Sequence, residues 1–137
     1  PVICSDYRVA GPRASFGLAE VRVGVGMPAG LMEIIRSMLS PNDLRLILQS
    51  GSAIQVDAAI QAGIVDELVQ VGGALDQALK IARDYAKIPS KAYATVKHQI
   101  RADTIAILKI EVEKSASSDP VPWFTEETAT AMAKMIG

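Results

Sequence analysis

Glu20 is the residue on which chemistry is most readily built. It is the one acid of the run Ser15-Phe16-Gly17-Leu18-Ala19-Glu20-Val21-Arg22-Val23-Gly24-Val25-Gly26-Met27-Pro28, which is otherwise largely apolar and glycine-rich. A carboxylate flanked by Leu18, Ala19, Val21 and Met27 can lose much of its water, and desolvation strengthens a carboxylate as a base. The plainer alternative is a surface glutamate in a turn, or one partner of a salt bridge to Arg22 or Arg13. From spacing alone both alternatives stand.

The other reactive side chains invite structural roles. His98 is the only histidine, on the expected polar side of a helix in Val96-Lys97-His98-Gln99. One histidine does not build a metal site, and no serine or cysteine nucleophile motif accompanies it. Cys4 falls in what reads as a buried strand, where a thiol is usually inert. Asp6, in the same segment, suits a structural acid. Gly24, Gly26 and Gly30 lack the spacing and the strand-helix setting of a dinucleotide fingerprint. Lys97, Arg101, Lys109 and Lys134 could meet phosphates, or simply solvate a helix face.

These residues need elements to hold them. Val2 to Ala10 reads as β-rich, and the chain is expected to open inside a strand at Pro1, as a cut or processed chain would. Gly11-Pro12 marks a turn, and Ala14 to Leu18 a second short strand. Val21, Val23 and Val25 alternate with period two, but the glycines and Pro28 favour a loop there over a regular strand. Leu31, Ile34, Ile35, Met38 and Leu39 share one helical face. Ser40-Pro41 is a helix start and Gly51 a stop. A short helix over 57–62 with Gly63 beyond it precedes a strand over 64–69. After Gly72-Gly73 the pattern is helical. Leu75, Ala78, Leu79, Ala82 and Tyr85 form one stripe. A helix from Pro89 turns Ala92, Tyr93, Val96 and Ile100 inward, and another follows from about Asp103 to Ser118. Asp119-Pro120-Val121-Pro122 reads as a stiff connector, and Thr125 caps a last helix. The predicted division is residues 1–71, mixed α/β, and 72–137, helical. The helical faces must bury themselves on the first part or on a partner subunit.

Composition narrows the classes. The chain has 137 residues, 50% hydrophobic and 4% aromatic, with net charge −1. That profile suits a globular domain and gives no electrostatic case for nucleic acid. One cysteine forms no internal disulfide and suits a cytoplasmic setting. No apolar run approaches the ~18 residues of a membrane span, and no signal peptide is evident.

Four segments together resemble the crotonase superfamily of enoyl-CoA hydratases and isomerases. They are Asp6-Tyr7-Arg8-Val9-Ala10; Phe16-Gly17-Leu18-Ala19-Glu20-Val21 followed by Gly24; Ala58 through Val69, with its Gly63-Ile64-Val65-Asp66; and Ile88-Pro89-Ser90-Lys91-Ala92 followed by Thr95-Val96-Lys97. Their order and spacing match the C-terminal half of that family. Hydratases usually follow the glutamate with a Pro-Gly-x-Gly-Gly turn. Here Met27-Pro28-Ala29-Gly30-Leu31 departs from it, and a proline eight residues after the glutamate looks more like the Δ3,Δ2-enoyl-CoA isomerases.

The resemblance implies the following. The fold is α/β, the second half of a crotonase-like ββα spiral core followed by a helical oligomerisation region. The substrate is an acyl-CoA thioester, with coenzyme A as part of the substrate, no further cofactor and no metal. Glu20 is the acid/base, Met27, Pro28 and Leu31 line the acyl site, and Lys134 meets coenzyme A. Isomerisation is favoured. Hydration would use a second glutamate just upstream of Pro1. The family's first half, which supplies the coenzyme A loop and the oxyanion-hole N–H donors, is absent, so a separate N-terminal half or a non-catalytic assembly module is the rival. A homotrimer or hexamer is implied, with no nucleic acid or membrane partner.

Overall fold

The computed structural model describes residues 2–117 and 124–136, without the side chains of Met135 and Ile136. The elements in chain order are β1 (Val9–Ala10), β2 (Ser15–Phe16), α1 (Ala29–Arg36), α2 (Pro41–Ser50), β3 (Ile54–Gln55), α3 (Val56–Gln61), β4 (Glu67–Leu68), α4 (Ala74–Tyr85), α5 (Ser90–Ser117) and α6 (Glu126–Ile136), with 3-10 turns at Val2–Cys4 and Glu20–Val23. Strand is therefore sparse. β1 pairs with β4 in parallel, Val9 opposite Glu67 and Ala10 opposite Leu68. β2 pairs with β3 antiparallel, Ser15 opposite Gln55 and Phe16 opposite Ile54.

Local signals explain the helix limits. The Ser40 hydroxyl accepts the Asp43 N–H at 3.2 Å and donates to the Asp43 carboxylate at 2.5 Å, so one side chain satisfies an otherwise orphaned donor of α2. Gly51 ends α2 in the left-handed region at φ 59°, its N–H on the Ile47 carbonyl. The core comprises Ala10, Ile35, Leu39, Ile47, Val56, Ala59, Ile64 and Val65. It thus lies between β1 and the segment entering β4, with α1, α2 and α3 around it. The face containing Ile35 and Leu39 is buried as its spacing predicts, although α1 itself stops at Arg36.

Three expectations are corrected. Val2–Cys4 is a 3-10 turn and not strand, and Cys4 is exposed, because no partner strand lies beside it among the described residues. The helices from Pro89 and Asp103 are one 28-residue helix. Nothing between Ser90 and Ser117 is a glycine or proline, so no residue there breaks the hydrogen-bond ladder. Val96 and Ile100 do not point inward. They are 52% and 78% exposed, and neither α4 nor α5 contributes a buried residue. The 119–122 connector lies outside the described residues.

α5 packs along α1, with the half-buried Leu108 against Gly30, and polar contacts tie it to the start of the chain. Asp6 accepts from Tyr93 Oη at 2.7 Å, Lys97 Nζ at 2.5 Å and Arg101 Nη2 at 3.1 Å. The Lys97 hydrogen bond, then the Tyr93 hydroxyl, hold the Asp6 carboxyl below its ordinary range, and the bond to Asp6 pushes the Tyr93 phenol up. Asp6 is structural, as expected, and its partners are side chains of α5. Tyr7, Tyr85 and Tyr93 stack edge to face beside it. No helix among the described residues is long and apolar enough to cross a membrane.

Candidate active site

Glu20 opens the 3-10 turn Glu20–Val23, and two neighbouring elements hold that turn. On one side Arg22 Nε donates to the Ser50 carbonyl at 2.8 Å, and Arg22 Nη2 donates to Ser52 Oγ at 2.6 Å. Gly51, between those acceptors, leaves the room. A Cβ there would sit 2.8 Å from both Arg22 Cγ and Val21 Cγ1. On the other side α6 approaches the end of the turn, and Thr128 Oγ1 donates to the Gly24 carbonyl at 3.3 Å. Gly24 is left-handed at φ 69°, and its N–H closes the turn on the Glu20 and Val21 carbonyls. The N–H of Val25 also reaches the Glu20 carbonyl, at 2.9 Å.

The Glu20 side chain is half-buried, and its Oε2 is shut off from solvent without a hydrogen-bond partner among the described residues. Leaving a buried polar atom unpaired costs about 1–3 kcal/mol, so such an atom is uncommon where nothing uses it. The salt-bridge alternative from the sequence is not what forms. Arg22 is engaged by Ser50 and Ser52, and no ion pair reaches Glu20 among the described residues.

The remaining candidates are less gathered. Met27 and Leu31 are half-buried and pack against the core, while Pro28 is exposed at the N-cap of α1. Lys134 is exposed on α6, in an open groove of about 730 Å³ that it shares with Arg22, Glu126, Glu127, Thr130 and Ala131. That groove reaches within two residues of Glu20 along the chain. A second cavity, about 460 Å³, lies between β1, α4 and α5 and is lined by Asp6, Tyr7, Ile81, Tyr85 and Tyr93 among others. Glu20, Met27, Pro28 and Leu31 line neither. Lys97 and Arg101 are occupied by Asp6, and His98 is an exposed residue of α5. No group of three or more metal-ligating side chains occurs among the described residues.

Two of the sequence segments meet in space. Arg8 and Asp66 form a fork, with Nε to Oδ2 at 3.0 Å and Nη2 to Oδ1 at 3.3 Å, while the Arg8 N–H donates to Oδ2 at 2.8 Å. The N–H groups of Asp66 and Glu67 return to the Arg8 carbonyl at 2.9 and 3.2 Å. The Asp6–Ala10 segment and the Gly63–Asp66 segment are therefore one joint at the β1–β4 pair. A sequence profile described as enoyl-CoA hydratase/isomerase matches residues 2–119, and so spans this joint and the Glu20 turn together.

The chain belongs to the enoyl-CoA hydratase/isomerase family.

Among its relatives, a crotonyl-CoA hydratase of Syntrophomonas wolfei is 30% identical over 95 residues, 69% of this chain and 35% of the relative. A 2,3-dehydroadipyl-CoA hydratase of Escherichia coli is 34% identical over 98 residues, 70% of this chain and 38% of the relative. The chain thus spans little more than a third of the length of these curated relatives. The apo structure of an enoyl-CoA isomerase from Mycobacterium tuberculosis superposes with a TM-score of 0.80 at 24% identity, covering 86% of this chain and 52% of that one. The crotonase-like α/β fold is thereby shown, in a chain whose own share of it is mostly helix.

Sequence reasoning missed Arg22 and Thr128 as supports of the family's glutamate segment. Gly24 and Gly51 were the available signals, since each allows a close approach that a side chain would block.

Proposed function

We propose that this chain supplies the general base of an enzyme that acts on acyl-CoA thioesters through a thioester enolate, and that Glu20 is that base. One observation carries the proposal: the buried, unpartnered Oε2 of Glu20 on a turn held from two sides. A carboxylate already paired with arginine is a poor proton acceptor, whereas one without a donor is free to take a proton. Glu20 would remove a proton from the carbon next to the thioester carbonyl. The C–H electron pair enters the enolate, and the same carboxyl returns the proton two carbons away. The double bond moves from position 3 to position 2, and the thioester is unchanged. Two N–H donors from the remainder of the enzyme would hold the enolate oxygen, each worth about 3 kcal/mol.

Isomerisation is favoured because one glutamate suffices for it and because Pro28 stands eight residues after Glu20. Hydration is the second reading, supported by the hydratase names of the two curated relatives. It would need a second carboxyl to deliver water. Met27, Pro28 and Leu31 would border the acyl chain, and Lys134 would meet the phosphates of coenzyme A from the groove it lines. The exposed Leu75, Val96, Ile100 and Val112 support the burial of α4 and α5 against sister subunits, which light scattering on the full-length protein tests. A monomer there would count against it.

The deciding experiment is Glu20→Gln in the full-length protein, assayed on 3-enoyl-CoA and 2-enoyl-CoA. A loss of about 10²-fold or more in kcat is expected for removal of a general base. Full activity on both substrates would overturn the assignment. Lys134→Ala in the same assays should raise KM and spare kcat, and an unchanged KM removes Lys134 from the site. Migration of the bond without uptake of water distinguishes isomerase from hydratase.

A further inference from the structure

Thr128 is the one buried polar residue among the described residues, at 2% exposure, and it sits on α6, far along the chain from the Glu20 turn. A hydroxyl so enclosed must place its proton on an acceptor within the protein. Two neighbouring oxygens bear on this. Thr125 Oγ1 accepts the Thr128 N–H at 3.2 Å, the N-cap bond of α6, and lies 3.0 Å from Thr128 Oγ1. The Gly24 carbonyl, 3.3 Å away, can only accept. Across that contact the Thr128 hydroxyl is therefore the donor, and a proton given by Thr125 Oγ1 to Thr128 Oγ1 is compatible with it.

Gly24 is the residue whose N–H closes the turn that Glu20 opens, so its position and that of the Glu20 backbone are coupled through one short ring of hydrogen bonds. The approach is tight. A Cβ on Gly24 would lie 3.1 Å from the Thr128 nitrogen and 3.2 Å from the Glu127 carbonyl carbon. The last helix therefore rests directly on the peptide that shapes the turn.

We propose that Thr128 is a positioning residue for Glu20: its hydroxyl, oriented by Thr125, fixes the Gly24 peptide and with it the direction from which the Glu20 carboxylate meets its substrate. This inference rests on the reading of Glu20 as the base. A displaced base is felt in the chemical step more than in binding, because misplacement of a reacting group by about 1 Å can cost up to 10²-fold in rate.

The test uses the full-length protein with Thr128→Val, which keeps the shape and deletes the hydroxyl, Thr128→Ser, which keeps the hydroxyl, and Glu20→Gln alongside. Steady-state kinetics on 3-enoyl-CoA and 2-enoyl-CoA should show a roughly tenfold lower kcat for Thr128→Val, with KM within about twofold of the parent. Thr128→Ser should restore kcat to within about twofold. If Glu20→Gln abolishes turnover while Thr128→Val leaves kcat unchanged, the positioning role is wrong and the base assignment stands. If Glu20→Gln is fully active, the base assignment itself falls. A Thr128→Ser protein as slow as Thr128→Val also overturns the proposal. Should Thr128→Val fail to fold, Thr128→Ala takes its place, and failure of both to fold counts against the proposal, since the residue then holds the fold and not the base.

Discussion

Replacing Asp66 by alanine removes the acceptor of three hydrogen bonds that all come from Arg8. The consequences are unequal on the two sides. The Arg8 side chain is 11% exposed and its Nη1 is already buried without a partner, whereas Asp66 is 30% exposed. Truncating Asp66 strands a nearly buried guanidinium. One-sided removal from a buried pair costs about 3–5 kcal/mol. The residual exposure of this pair lets water offset part of that, so the expected loss is about 2–3 kcal/mol. Arg8→Ala leaves a carboxylate that can turn towards water, and its cost should be smaller, about 1–2 kcal/mol. In the double variant neither charge is stranded. Its loss should fall short of the sum by about 1–2 kcal/mol, which is the coupling. Urea unfolding of the full-length protein at pH 7, compared through midpoints at constant slope, measures all three. Salt at 1 M, with a screening length of about 3 Å, should leave most of the coupling in place because the groups touch. Losses that add to within about 0.3 kcal/mol would refute the reasoning and leave the β1–β4 backbone bonds as the whole of the joint.

The Asp6 cluster predicts an acid-dependent term in stability. Its carboxyl is held below the ordinary 3.8 by Lys97 first and Tyr93 next, so its contribution is fully present above that value and is lost as pH falls through the lowered folded-state value. The stability gap between the parent and Asp6→Asn should therefore be constant near neutrality and close in acid, and a gap that persists unchanged to pH 2 would contradict this. Gly51→Ala should cost more than Gly63→Ala. Both glycines are left-handed, at φ 59° and 70°, which costs an alanine about 1–2 kcal/mol, but only Gly51 has Arg22 and Val21 within 2.8 Å of the added carbon. Equal shifts in Tm for the two variants would remove steric support of the Glu20 turn from the account.

Much of the local structure around the candidate site was legible in the sequence because its signals are contiguous. Ser40-Pro41 and Gly51 marked α2 correctly, since capping is settled within four residues. Glu20, Gly24 and the Gly63–Asp66 segment stood out in the same way. Strand content was overread. Val2–Ala10 has the composition of a strand, but composition does not supply a partner, and only Val9–Ala10 finds one. A break was placed near Asp103, although no residue there stops a helix.

What the sequence could not show is what the faces meet. A period of 3.6 tells which residues share a side and is silent about what lies opposite. Val96 and Ile100 shared a face, and that face is open in this chain. The supports of the Glu20 turn have the same character. Arg22 finds its acceptors 28 and 30 residues away, and Thr128 reaches Gly24 across 104. Such contacts leave only a shadow in the sequence, the glycine that makes room. Gly24 and Gly51 are two such shadows around one acid, and through Gly24 the Glu20 turn meets the packing of α6. A base placed by its own turn alone would be indifferent to the last helix. If Glu20 is the base proposed above, it should lose rate when a single hydroxyl on that helix is removed, before the fold is lost.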